Sequence, residues 1–177
     1  MGEGEKATLR PLAERDLDAL VAWDEDSDVA DLMGGSTRTQ EESKAKFMAL
    51  MRDRNSAAMA IESDAGVLIG DIELIEIAWR SGDAELVVRI GEPAYWNRGY
   101  GSEAVRAVLE LAFGQMGLRR VYLRVCANNA RAIRCYSKCG FRCEGVVRRR
   151  FGDTRDPRII VLMTILRDDF IRMRVAS

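Results

Sequence analysis

The segment Gly99-Tyr-Gly101 stands where a strand-like run gives way to a helical pattern. Glycines at such a junction let backbone N–H groups converge on a ligand, and the positive end of the helix dipole adds to them. The natural occupant is an anion, most often a phosphate. A Walker loop would need Gly-Lys-Ser/Thr, which the chain lacks, so nucleotide hydrolysis is not expected. The dinucleotide fingerprint is matched in letters by Gly99-x-Gly101-x-x-Ala104 but not in context. The next strand, Val121 to Cys126, offers Arg124 and no acid for a ribose, and the strands before the loop read as an antiparallel meander. Proton chemistry is narrowed as well. The chain contains no histidine, which removes serine triads, Cys–His pairs, His-ligated zinc and the imidazole base. Carboxylates, Tyr, Lys, Cys and the backbone remain. The four cysteines, Cys126, Cys135, Cys139 and Cys143, form no Cys-x-x-Cys pair, so free thiols in a reducing compartment are expected and no metal site.

The elements that must hold these groups alternate in type. Thr8 to Pro11 reads as a short edge strand, because Pro11 cannot donate to a ladder. Leu17, Leu20, Val21 and Trp23 recur at helical spacing with acids outward. Thr39 with Glu42 three residues on is a capping box, starting a second helix that carries Phe47, Leu50 and Met51. Met59 to Ile61, Val67 to Ile77 and Glu85 to Ile90 read as three strands joined by short turns, hence an antiparallel meander. After the glycine loop a helix carries Val105, Val108, Leu109, Ala112 and Met116, with Gly117 past its end. A strand from Val121 to Val125, a short helix from Asn129 to Cys139 closed by Gly140, and a hairpin from Phe141 to about Leu166 complete the order. The fold class is α+β, a mixed and mostly antiparallel sheet flanked by helices, as one domain over residues 1–177.

Charge is balanced overall, at −1, but not along the chain. Eight acids between Glu14 and Asp31 are opposed only by Arg15, whereas Arg119 to Arg158 is strongly basic. One wall for a cation and one for an anion is the functional reading; solvated faces are the plain one. No apolar run approaches the ~20 residues a bilayer requires, and the acidic start lacks a secretory pattern. A cytoplasmic protein without membrane contact is expected.

Pro93-Ala-Tyr-Trp-Asn-Arg-Gly-Tyr-Gly-Ser-Glu-Ala104, followed by Val125-Cys-Ala-Asn-Asn-Ala-Arg-Ala-Ile-Arg-Cys-Tyr-Ser-Lys-Cys-Gly-Phe141, resembles the two signature segments of the GNAT superfamily of acetyl-CoA-dependent N-acetyltransferases. Ile69-Gly70, Trp79-Arg80 and Ala84-Glu85-Leu86 look like its RimJ/RimL-like branch, which includes ribosomal-protein N-terminal acetylases and polyamine acetylases. The resemblance spans about Leu9 to Leu166, with the signature region at about 66–166. One departure is Trp96 at the first position of the family's R/Q-x-x-G-x-G/A pattern, which leaves the pyrophosphate to backbone N–H groups.

The resemblance implies acetyl-CoA as cosubstrate, with no metal. Backbone of Val88, Arg89 and Ile90 would pair with the pantetheine arm, and Arg98, Gly99, Tyr100, Gly101 and Ser102 would take the pyrophosphate. Asn129 would contact the cofactor, although an N-cap explains it equally well, and Arg131 or Arg134 would approach the 3′-phosphate. Tyr136, seven residues after Asn129 as in the family, would protonate the departing sulfur. Glu85 would accept the amine's proton through a water, with Glu73 and Glu76 as competitors. The acceptor implied is a primary amine of a cationic molecule: a protein N-terminus, a polyamine or an aminoglycoside. No nucleic-acid partner is expected, and a homodimer is left open. Two other classes stay open: a non-catalytic acyl-CoA sensor, and an RNA-binding protein using Arg148-Arg-Arg150.

Overall fold

The computed structural model describes residues 7–26, 28–29, 38–149 and 158–176. Seven strands form one sheet in the order β1-β2-β3-β4-β5-β7-β6. They are β1 (Thr8–Pro11), β2 (Ala57–Glu62), β3 (Leu68–Ala78), β4 (Asp83–Ile90), β5 (Arg120–Cys126), β6 (Arg142–Arg149) and β7 (Arg158–Leu166). Every neighbouring pair is antiparallel except β4 and β5. The α+β expectation therefore holds, including the meander before the glycine loop.

Among the described residues the helices on the sheet include α1 (Leu17–Glu25), α2 (Gln40–Arg52), α3 (Tyr100–Glu110), α4 (Ala130–Lys138) and α5 (Arg167–Val175). The Thr39 capping box forms as expected. Glu42 N–H donates to Thr39 Oγ1 at 3.2 Å and Thr39 N–H to Glu42 Oε2 at 3.0 Å, satisfying two of the donors that a helix start leaves over. Strand alternation divides the packing. Ile72, Leu74, Leu86, Val121 and Leu123 point to one face and pack with Val105, Val108 and Leu109 of α3 and Phe170 of α5. On the other face, Leu17, Leu20 and Trp23 of α1 and Phe47 of α2 close over Ala60.

Helix α5 was not expected. Its one buried apolar residue is Phe170, packed against Phe113 with ring centroids 5.4 Å apart, so a charged sequence with a single anchor shows no helical stripe. The expected stripe through Met116 also changes form beyond α3. Leu111–Gln115 makes a wider turn, closed by Met116 N–H to the Leu111 carbonyl at 3.0 Å. The tip of the last hairpin, residues 150–157, lies outside the described residues, as do Arg150 and the part of the acidic stretch at 27 and 30–37.

Candidate active site

Strands β4 and β5 pair in parallel only at Asp83 with Arg120, Ala84 with Val121 and Glu85 with Tyr122. Beyond that point each strand pairs only with its outer neighbour, β4 with β3 and β5 with β7. The sheet thus opens into a V between Leu86–Ile90 and Leu123–Cys126. The backbone that lines it follows from ladder alternation. Gly91 N–H bonds the Ile69 carbonyl at 2.9 Å, which puts residues 85, 87, 89 and 91 in register to bond β3 and turns the N–H and C=O groups of 86, 88 and 90 toward β5. Val88 and Ile90 therefore face the opening. Arg89, expected among the cofactor's backbone contacts, faces the other way: its backbone is spent on β3 opposite Asp71, and its side chain enters a buried ion cluster.

The glycine loop sits at the mouth of this V. Gly99 caps α3 with φ +89° and ψ −8°, a left-handed conformation, and a Cβ placed there would meet no atom within 4 Å. The first turn of α3, Tyr100-Gly101-Ser102, presents N–H groups that have no acceptor within the helix. Tyr100 enters by backbone alone, because its ring is buried and its hydroxyl donates to Asp64 Oδ1 at 3.0 Å. Arg98 is exposed, its guanidinium 5.2 Å from the Tyr95 ring. Trp96 takes a structural part: its indole N–H donates to the Ile90 carbonyl at 2.7 Å, and Arg131 stacks over it at 4.2 Å. Of the backbone groups facing the V at Ile90, only the N–H remains for a ligand. The free N–H groups of this helix start can hold an anion.

Asn129 caps α4, accepting from Ala132 N–H at 3.2 Å, so its role as a cap is visible. Tyr136 of α4 is buried, its ring edge-on to Phe141 at 5.9 Å. Burial chiefly, then the neighbouring Cys135 and Cys139, pushes its phenol above the ordinary range, so it stays a proton donor at any working pH. Ser102 is partly committed elsewhere, since its hydroxyl donates to Cys135 Sγ at 3.3 Å. All four cysteines are free, but only Cys126 and Cys139 are buried; Cys143 is exposed on the edge strand β6.

The face beneath α1 and α2 carries the acids. Glu85 stands at the foot of the V, on the face expected from alternation. Both of its oxygens, however, accept from Arg124 at 2.7 Å, Nε to Oε1 and Nη2 to Oε2. Proton acceptance there requires the pair to part, so the expected role of Glu85 as a poised acceptor meets a carboxylate that is already engaged. Asp24, expected to face a cationic acceptor, is likewise occupied. Arg89 bridges it at 2.5 Å and Asp71 at 2.7 Å, and Ser43 donates to its other oxygen. Gly91 lies flat under Trp23, whose ring occupies the place of a Cβ, and this pins α1 to the end of β4.

Glu73, one of the two competitors to Glu85, is the carboxylate without a guanidinium partner. It is 2% exposed, its Oε1 has no hydrogen-bond partner among the described residues, and Lys46 Nζ stands off at 4.0 Å. Burial first, then the charge of Asp71, pushes its carboxyl from the ordinary 4.5 up to about 7. A folded value above the unfolded one means that stability is fully present below pH 4.5 and is lost as pH rises through 7. At 1.36 kcal/mol per unit this group costs about 3 kcal/mol over that window. Glu73→Gln is therefore expected to gain about that much over the wild type between pH 4.5 and pH 8, as read by urea denaturation at both ends. A pH-independent difference would contradict the assignment. The signal in the sequence was the alternation of Asp71 and Glu73 with Gly70, Ile72 and Leu74, which puts two acids on the side of β3 shared with Glu85 and Arg89.

Among the described residues no group of His, Cys, Asp and Glu could hold a metal ion, and no helix is long and apolar enough to cross a membrane. Two relatives in sequence and one solved structure are similar to this chain. An uncharacterized N-acetyltransferase of Bacillus subtilis, YoaA, is 28% identical over 151 residues, covering 82% of this chain and 85% of that protein. The spermidine N(1)-acetyltransferase of Vibrio cholerae is 30% identical over 95 residues, 54% of each chain. The fold matches a crystal structure of a spermidine N-acetyltransferase from Vibrio cholerae in complex with CoA and spermine, with TM-score 0.86 and 24% identity over 94% of this chain and 98% of that one. Residues 6–142 match the family model described as Acetyltransferase (GNAT) domain. The chain belongs to the GNAT acetyltransferase family.

Proposed function

We propose that this enzyme transfers the acetyl group of acetyl-CoA directly to a primary amine of a small polyamine. The observation that carries this reading is the V between β4 and β5, with an anion-binding helix start at its mouth and a buried acidic face on the side of α1 and α2. The named activity of the Vibrio cholerae relative supports a polyamine over a protein N-terminus. Assignment to the RimJ/RimL-like branch rests on Ala84-Glu85-Leu86 and on Trp96 in the loop. The reading takes residues 1–177 as a single catalytic domain working in the cytoplasm without nucleic acid, as a monomer or a homodimer.

Acetyl-CoA supplies an activated acyl thioester. Val88 and the Ile90 N–H extend β4 toward the pantetheine arm, a strand addition to an open sheet edge. Gly99, Tyr100, Gly101 and Ser102 direct N–H groups at the pyrophosphate, and Arg98 and Arg131 add positive charge beside it. Asn129 fixes the start of α4 and with it Tyr136, whose phenol gives its proton to the leaving sulfur. Glu85 and Arg124 hold the root of the V, and the amine's proton leaves to solvent. A primary amine with a lysine-like value near 10.4 is neutral in about one molecule in 2,500 at pH 7, so activity rises steeply with pH up to about 9.

The test is release of CoA thiol from acetyl-CoA, with identification of the acetylated product, across spermidine, diamines, an aminoglycoside and peptides with free N-termini. Polyamines are expected to lead by at least about an order of magnitude in kcat/KM. Equal or better turnover of peptides would move the assignment to protein N-termini, and acetyl-CoA binding with no turnover on any amine would favour the sensor reading.

A further inference from the structure

We propose that Glu73 is the docking site for a second ammonium group of the acceptor, so that the enzyme prefers a diamine to a monoamine and releases a proton when the diamine binds. The inference rests on the reading that the amine is acetylated beside the V. The other acids in the cluster on this face are held by guanidinium groups at 2.5–2.7 Å, Asp24 and Asp71 by Arg89 and Glu85 by Arg124, whereas Glu73 has the Lys46 ammonium at 4.0 Å and a carboxyl contact with Asp71. Glu73 alone among them keeps an oxygen without a hydrogen bond while 2% exposed, a costly condition for an ionisable group that no packing need explains.

Glu73 lies opposite Val87 in register, one strand spacing of about 4.8 Å inward from the strand that borders the V, and its side chain is on the face that carries Glu85, Val87 and Arg89. A short diamine with one nitrogen at the V extends its other nitrogen over Glu73. Lys46, from α2, already holds an ammonium 4.0 Å from Oε1 on a long, partly exposed stem. It occupies the place of the ligand's cation and can swing clear when that cation enters.

The proton follows from the groups that face the carboxyl: Asp71 on its own strand, Arg89 on β4 with Asp24 of α1 behind it, and Lys46 on α2. Burial and Asp71 hold Glu73 protonated up to about pH 7. Below that, the neutral acid and an incoming R–NH₃⁺ become a carboxylate–ammonium pair plus one released H⁺, and atoms and charge balance. Above it no proton is released.

The experiment is calorimetry of 1,4-diaminobutane and 1-aminobutane binding to the CoA-loaded enzyme, in buffers of different ionisation enthalpy at pH 6 and pH 8.5. The diamine is expected to release about one proton more than the monoamine at pH 6 and none more at pH 8.5. Glu73→Gln is expected to abolish the excess and to cut the preference for diamine by ~10–100-fold, while monoamine binding stays unchanged. Lys46→Ala, which removes the internal competitor, is expected to tighten diamine binding several-fold. Absence of the excess at pH 6, or its survival in Glu73→Gln, overturns the inference. Acetylation of 1-aminobutane without the excess sinks this inference alone. The excess without acetylation of either amine sinks the proposed reaction and leaves the docking site standing.

Discussion

Tyr136→Phe is expected to lower kcat by ~10²–10⁴-fold while the affinity for acetyl-CoA stays within a factor of about two. The substitution removes one oxygen and keeps the ring that packs edge-on against Phe141, so the fold has no reason to change. Because burial raises its phenol above the ordinary range, Tyr136 reaches the reaction protonated, and its loss leaves the sulfur to depart as an unprotonated thiolate. Parallel measurements of turnover and cofactor affinity separate the two effects. Undiminished turnover removes Tyr136 as the acid, and an equal loss of cofactor affinity marks it as a packing residue.

The second large effect is at Gly99. The residue holds a left-handed conformation with open space around its missing side chain, so charge and strain can be varied separately. Asn tolerates this backbone region and Asp has nearly the same shape. Gly99→Asn is expected to weaken acetyl-CoA binding by less than ~10-fold. Gly99→Asp sets a carboxylate against a pyrophosphate, a like-charge contact that costs several kcal/mol, and is expected to weaken binding by more than ~100-fold and to abolish thermal stabilisation by the cofactor. Equal losses in both variants would mean that the loop acts by shape alone. Stabilisation that survives in Gly99→Asp would show that no anion sits there.

Local features of the fold were legible in the amino-acid sequence because their causes are local. The Thr39–Glu42 capping box, Pro11 at an edge, Gly117 and Gly140 past helix ends, and the alternating strands each depend on neighbours a few residues away. What could not be read depends on distant partners. Glu85 meets Arg124 across 39 positions, and Arg89 meets Asp24 across 65, so a catalytic reading of Glu85 and a solvent-facing reading of Asp24 were both open until the chain had folded. Arg89 was assigned to the cofactor because it lies between Val88 and Ile90, yet ladder alternation turns its backbone to the opposite strand. The V has no sequence signature, since it arises from where pairing stops rather than from any residue type. Glu73 was visible as one acid among three, and only burial without a partner sets it apart.

The central claim is that an acyl-CoA adds to β4 as a further strand inside the V. Amide hydrogen exchange at Val88, Arg89 and Ile90, with and without acetyl-CoA, tests it residue by residue. Val88 and Ile90 N–H groups face the opening and are expected to slow by at least ~10-fold when the cofactor binds, while Arg89, already bonded to β3, stays unchanged. Val88 and Ile90 exchanging at the same rate with saturating acetyl-CoA would contradict the account.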